Sequence, residues 1–466
     1  MRAGAPEHHA QAEALDHRLA DFLAGRPPGE RLWVGYSGGL DSTVLLHLLA
    51  GQARREGFSL AAIHVHHGLS RQADAWADHC RAVCAALDVP LRVERVQVMP
   101  AGEGVEAAAR RARYAAFAGL DGDVLALAQQ RDDQAETVLA QLLRGGDLRG
   151  LAAMPASRPL AGSALLLWRP LLGVPRARLE AWARARDLAW IEDESNRDER
   201  FTRNALRHRV VPVLESVWPG SAEGLARASA RFAEAAGLLD DLADLDLAAL
   251  APARGLSLPG LAALGEARAR NVLRRFVELA GGRVRHNALA EALRQLLDAR
   301  AEAQPAVPFG SIQLRRHRDR VHAVPRSPAP IPPSLIWQGE SRLDMGESGV
   351  LGFTPVPSGG VALVPGRVRV APRQGGESLR PGPGRPRRPL KDLLREAGLP
   401  PWSRHGLPLL CQDGRLVWAA GVGPDADALA GPGQPGWLIS WDSWWSPGPD
   451  NPACASPPGL SPPPGG

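Results

Sequence analysis

The chain has 466 residues, 45% of them hydrophobic and 23% charged, with a formal net charge of +5 and a sequence pI near 9.5. That length implies roughly two to four folding units. The lack of an apolar run of about 20 residues, or of an apolar signal core in MRAGAPEHHAQAEALDHRL, excludes a membrane-spanning helix and makes a cytoplasmic protein the expectation. Cys80, Cys84, Cys411 and Cys454 are too few and too scattered for a disulfide framework, which fits a reducing compartment. Lys391 is the sole lysine, so the positive charge is carried by arginine. This excludes a lysine-headed Walker loop in the N-terminal part, and fits either a phosphate-rich partner or an arginine-favouring composition.

From Arg31 to about Asp147, strand-like runs alternate with helical patterns: RLWVGYS, a helix from Ser42, LAAIHVHH, a helix around Ala75, LRVERVQV, a helix from Val105, DVLALAQQ and a helix from Asp132. The alternation predicts an α/β unit, a parallel sheet with helices on both faces. LLLWRPLLG and PRARLEAWARARDL add a strand and a helix, and a polar loop then leads into an arginine-studded helix. The expected boundaries are a catalytic domain over 1–218, a small helical domain over 219–325, a proline-rich linker over 326–350, an α+β module over 351–445 and a tail without apolar periodicity over 446–466.

The chemistry begins at WVGYSGGLDS, where a strand runs into Gly38 and Gly39, and Asp41 and Ser42 open the next helix. Glycines let backbone approach a phosphate, the helix N-terminus offers N–H groups and a positive dipole, and Ser37 and Ser42 add hydroxyls around Leu40. Asp41 cannot bind phosphate directly and is assigned to a magnesium ion bridging the phosphates. Among the acids of AQQRDDQAET, Asp132, Asp133 and Glu136 lie on the first turn of a helix at a strand end, where open α/β sheets keep their chemistry. On GVEAAARRARYAAFA, Glu106, Arg110 and Arg113 share one face. His64, His66 and His67 alternate along a strand without an acidic or cysteine partner spaced to help, and are read as pocket-lining or structural.

The SGGLDS loop resembles the SGGxDS loop of the ATP pyrophosphatases, which cleave ATP between its α and β phosphates. HVHHGLS, the Glu106–Arg110–Arg113 helix and the DDQAET segment resemble the tRNA(Ile)-lysidine synthetase family, as do IEDESNRD, FTRNALRHRVVPVL and the basic stretch from Gly375 to Leu410. The resemblance implies ATP and Mg2+, with Ser37, Gly38, Gly39, Leu40, Asp41 and Ser42 holding the nucleotide and Asp41 the metal. It implies catalytic roles for Asp41, Arg110, Arg113, Asp132 and Asp133, and substrate contacts from Glu106, Gln130, Glu136, Asn196, Arg203, Asn204 and Arg207. Arg385, Arg387 and Arg388 would neutralise RNA phosphates. The implied substrates are L-lysine and the CAU-anticodon tRNA(Ile), with a homodimer as an open expectation. Gln130 departs from the family, which usually has histidine there; a neutral amide can donate a hydrogen bond but cannot act as an imidazolium or a general base. Cys80 and Cys84 lack the paired CxxC spacing of thiolases and are expected to be packed thiols.

Overall fold

The computed structural model describes Leu19, Leu23, Arg26, Pro27 and residues 29–442, except 100, 101, 103, 195–197, 201, 252–254, 285, 301, 302, 328–330, 333 and 334. Asn196 and the tail over 446–466 therefore lie outside the described residues. Two compact units divide the chain, Met1–Leu238 and Leu239–Gly466.

The first unit is built as β1 (Arg31–Gly35), α1 (Leu40–Glu56), β2 (Ser59–His66), α2 (Ala73–Ala86), β3 (Leu91–Arg95), α3 (Val105–Ala118), β4 (Val124–Ala126), α4 (Arg131–Leu143), β5 (Ser157–Pro159), β6 (Leu166–Trp168) and α5 (Arg176–Arg184). The sheet order is β3-β2-β1-β4-β6-β5, parallel throughout except for β5 against β6. Leu32, Trp33 and Val34 are all buried, as a strand covered on both faces requires. Because side chains alternate along a strand, Leu32 and Val34 join one core with Leu45, Leu49 and Leu179, while Trp33 joins the other with Phe117 and Leu167. The strand order reverses between β1 and β4. At such a switch point the helices that follow diverge and leave a crevice at the strand ends. Its walls begin with α1 and α4, which carry SGGLDS and DDQAET.

After α5 the chain passes through a helical stretch of three pieces, Thr202–Ala205, Leu206–Val210 as a π-turn, and Val211–Val217. The helix Ser221–Leu250 follows and contains the division between the two units.

In the second unit, helices Glu266–Leu279 and His286–Asp298 pack with a four-stranded antiparallel sheet of β7 (Leu256–Ser257), β8 (Ala306–Phe309), β9 (Ile312–His317) and β10 (Arg320–Pro325), in the order β7-β10-β9-β8. Helical periodicity alone led to helices here. Strand β9 escapes it because only Ile312 and Leu314 of IQLRRH are buried, and three arginine and histidine positions follow. The stretch 326–350, expected as linker, instead sends Ile331, Trp337 and Met345 into the core of the last lobe, where Trp337 stacks on Phe353 with ring centroids 4.7 Å apart. Proline marked the segment as extended, but buried apolar side chains make it part of the fold. That lobe consists of a five-stranded antiparallel sheet, a three-stranded sheet, a two-stranded hairpin and the helix Leu390–Glu396.

His322 on β10 is 8% exposed and lies against Gly255, where an added Cβ would come within 2.7 Å of the imidazole. Burial holds its pKa down to about 4, with His317 and Arg320 acting in the same direction. The native state therefore stays neutral while the unfolded chain, with a pKa near 6.5, takes up a proton. This contribution is fully present above pH 6.5 and is lost as pH falls toward 4. It should amount to roughly 3 kcal/mol over that window, measurable by urea unfolding at graded pH, and His322→Gln should remove that part of the pH dependence.

Candidate active site

Between β1 and α1 the backbone turns through Gly38 at φ +83°, a conformation that glycine adopts without penalty. A Cβ on Gly38 would stand 2.5 Å from Ile191 Cδ1 and 3.1 Å from Cys80 Sγ, so crowding also demands glycine. Gly39 caps α1 with no side-chain bond, leaving the first-turn N–H groups for a ligand or water. The Ser37 and Ser42 hydroxyls lie 3.0 Å apart, and Ser42 Oγ donates to the Gly39 carbonyl at 3.0 Å. Ile191 N donates to the Gly38 carbonyl at 2.9 Å, which lays the start of IEDES over the loop.

Asp41, on the first turn of α1, accepts a bond at Oδ2 from Arg176 Nη1 at 2.9 Å, whereas its Oδ1 is buried without a hydrogen-bond partner. Burial pushes its carboxyl up to about 6; Arg176 opposes the shift, Asp133 adds to it, Arg207 opposes it and Asp132 adds to it. These charges consequently meet in one place, although they come from four segments of chain. The orphaned, desolvated oxygen fits a divalent cation of the kind held by one or two carboxylates together with phosphate oxygens and water. Among the described residues no cluster of three or more His, Cys, Asp or Glu could hold a metal by itself.

On α4, Gln130 is the N-cap: its Oε1 accepts from Asp132 N at 2.6 Å, and Asp133 Oδ2 accepts from Gln130 N at 3.0 Å, a reciprocal capping box. Gln130 is fully buried, with its Nε2 unpartnered. Asp132 Oδ2 accepts from Arg176 N at 3.0 Å. Asp133 and Glu136, both buried, grip two arginines of the helical stretch beginning at Thr202. Arg203 donates to Glu136 at 2.8 Å and Asp133 at 2.7 Å, and Arg207 to the same two acids at 2.6 and 2.9 Å. Asn204 Nδ2 donates to the Asp198 carbonyl at 2.9 Å, holding the turn before this stretch.

From α3, Arg110 lies 4.8 Å above the Tyr114 ring and donates to its hydroxyl at 3.2 Å. Arg113 lies within the fields of Arg110, Arg203 and Glu106, and together with burial it helps hold the His67 imidazole near 4. The α3 face thus joins the arginine side of the crevice. His64 Nδ1 contacts the Tyr36 carbonyl at 3.0 Å and Cys80 Sγ at 3.4 Å, in line with a structural reading of the histidines. Cys80 and Cys84 are buried, and burial pushes their thiols up to about 12 and about 11, the opposite of an activated cysteine. Sequence reasoning missed Arg176 and Ile191. Arg176 had one signal, a cation in the first turn of a helix against the dipole; Ile191 had none, since a backbone bond leaves no side-chain pattern.

In the second unit Arg387 pairs with Asp425 at 2.9 Å and Asp427 at 3.1 Å, and Arg388 with Glu396 at 2.5 Å. Arg385 is exposed. Another set of cations lies close together: Arg318 stands over Gly398, Arg404 Nε donates to the Leu399 carbonyl at 2.8 Å, and Arg373 Nη1 donates to the Arg404 carbonyl at 3.4 Å. Burial, Arg373, Arg395 and Arg318 together hold Arg404 below the usual arginine value.

A glycine turn feeding a helix at a sheet's switch point, faced by arginines and by an acid with one unsatisfied oxygen, suits the phosphates of a nucleotide. The PP-loop domain family indeed matches residues 11–214, which makes this an ATP-using enzyme of the PP-loop class. The TilS substrate binding domain matches residues 256–322 and the TilS substrate C-terminal domain residues 368–441. A tRNA(Ile)-lysidine synthase of Chromobacterium violaceum is 46% identical over 92% of this chain and 99% of that protein. One of Pseudomonas aeruginosa is 45% identical over 92% and 97%. The U34-tRNA thiolase NcsA from Methanococcus maripaludis is a solved structure similar at TM-score 0.41, with 19% identity over 48% of this chain and 80% of that one. The chain belongs to the tRNA(Ile)-lysidine synthase family, and is accordingly an ATP-dependent ligase of tRNA processing. Among the described residues no helix is long and apolar enough to cross a membrane.

Gly38→Ala should raise the KM for ATP at least tenfold and lower stability by about 1–2 kcal/mol, since an alanine at positive φ is strained and its methyl group must displace Ile191. ATP-dependent AMP release and thermal unfolding of the variant provide the measurements.

Proposed function

We propose that the chain joins free L-lysine to C2 of the wobble cytidine of CAU-anticodon tRNA(Ile), releasing AMP and pyrophosphate. The observation that carries this reading is the unpaired Asp41 Oδ1 beside the glycine turn, at the switch point of a PP-loop domain in a chain of this family. The C2 oxygen is a poor leaving group. It attacks the α-phosphate of ATP, expelling pyrophosphate; the lysine ε-amine then adds at C2, and AMP departs with that oxygen as the amine loses a proton. Ser37, Gly38, Gly39, Leu40 and Ser42 hold the phosphates through backbone N–H groups and hydroxyls. Asp41, with Asp132 acting on it, would hold magnesium, which when bound would neutralise phosphate charge. Arg110 and Arg113 offset charge developing at the α-phosphate. Asp133 and Glu136 act by fixing Arg203 and Arg207, which with Glu106 and Asn204 would meet the tRNA and amine side. Gln130 contributes by starting α4 at the residue that sets Asp132 and Asp133 in place.

The test is incorporation of radiolabelled lysine into unmodified tRNA(Ile) bearing the CAU anticodon, with ATP and magnesium. Incorporation by the native chain and its loss in Asp41→Ala are expected; AMP release with sulfide or ammonia in place of lysine would overturn the substrate assignment.

The grip on tRNA phosphates is assigned to the second unit. Arg373, Arg395 and Arg318 all act on Arg404 there, and the acids that Arg373 and Arg395 meet, Glu377 and Asp392, stand 3.5 Å away, whereas Arg387 and Arg388 hold their acids at 2.9 and 2.5 Å. Replacing both Arg318 and Arg395 by alanine should weaken tRNA binding about tenfold and flatten its log–log salt dependence by about two units. The Arg387→Ala and Arg388→Ala pair should do less in the same filter-binding titration.

A further inference from the structure

Arg176 opens α5 at the end where the helix dipole disfavours a cation. The helix does not need the side chain for docking: Leu179 and Ala183 are buried against the α1 core, and Arg131 N donates to the Val174 carbonyl at 2.9 Å, stitching the approach of α5 to the start of α4. A pair whose side chains are 40% and 21% exposed also contributes little to stability. What the residue does is bridge. Its backbone N–H meets Asp132 Oδ2 at 3.0 Å, and its Nη1 meets Asp41 Oδ2 at 2.9 Å, so a single residue ties the acid of α1 to the first acid of α4. The guanidinium engages one oxygen of Asp41 and leaves the other, Oδ1, buried and without a hydrogen bond.

We propose that Arg176 is a positioning residue for the nucleotide's cation: it fixes the Asp41 carboxylate through Oδ2 so that Oδ1 is the oxygen presented to the metal. This rests on the reading above that Asp41 holds that cation. A partner that orients a ligating carboxylate from behind governs metal affinity without touching the metal. The contact also spaces two like-charged carboxylates that would otherwise repel across the crevice.

Arg176→Ala separates the two contacts, because alanine keeps the N–H that holds Asp132 and loses only the hold on Asp41. Binding of a non-hydrolysable α,β-methylene ATP, followed by calorimetry at graded Mg2+, reads the effect without lysine or tRNA. The Mg2+ concentration at half-maximal nucleotide binding should rise about tenfold or more in Arg176→Ala. The KM for ATP should rise with it, kcat should fall less, and the KM for tRNA should stay unchanged. Arg176→Lys, which brings a point charge to the same carboxylate, should recover most of the loss. A midpoint that stays put, with only thermal stability altered, would make the contact an ordinary surface pair; a midpoint that falls would make Arg176 a competitor of the cation. Either result overturns the proposal. If Asp41→Ala itself leaves the midpoint unmoved, the cation assignment fails and the role of Arg176 fails with it. Failure of lysine incorporation alone, with the midpoint shifted, would count against the substrate and leave Arg176 in place.

Discussion

A carboxylate taken out of water must find cations or give up its charge. Glu136 is 2% exposed and Asp133 is 8% exposed, and both meet the guanidinium groups of Arg203 and Arg207. Neither acid could sit where it does without the helical stretch that begins at Thr202, and that stretch has few buried apolar residues of its own to dock by, Leu206 being one. The π-turn at Leu206–Val210 includes Arg207, in keeping with the concentration of such turns at functional sites. Four charges thus attach one wall of the crevice to the other. The attachment is polar because the same arginines must also remain available on the open side, where Arg203 is 38% exposed.

Two kinds of acid result from this arrangement. Asp133 and Glu136 spend their oxygens on arginines and on the cap of α4, so their contribution is geometric. Asp41 has one oxygen that nothing satisfies, and desolvation keeps its carboxyl near 6. A site that keeps some carboxylates fully paired and one incompletely paired has separated holding from binding. The same division recurs in the second unit, where Arg387 and Arg388 close ion pairs within their lobe while Arg318 and Arg404 stand among other arginines.

The parallel sheet and its crevice were legible in the sequence because buried strands read as continuous apolar runs, and because the glycine turn and DDQAET each sit at a strand end. The membership of Asp41, Asp132, Asp133, Glu136, Arg203 and Arg207 in one site was legible through resemblance, but their division of labour was not. Charge type says nothing about which oxygen is already taken. Arg176 was not singled out, since a contact 135 residues distant in the chain leaves no local trace beyond a cation at the start of a helix. The sheet of β7 to β10 and the core role of Trp337 escaped for a related reason: short strands carrying arginine or flanked by proline show little periodicity until their partners are known.

The crowding around Gly38 restricts what this turn can accommodate. An added Cβ there meets Ile191 and Cys80, which come from a distant loop and from the helix after the second strand. A side chain added at position 38 presses on both neighbours, so its effect will not add to that of a substitution at position 80 or at position 191. The tolerance of position 38 to change is therefore set by local volume and by its positive φ, independently of the chemistry a few ångströms away.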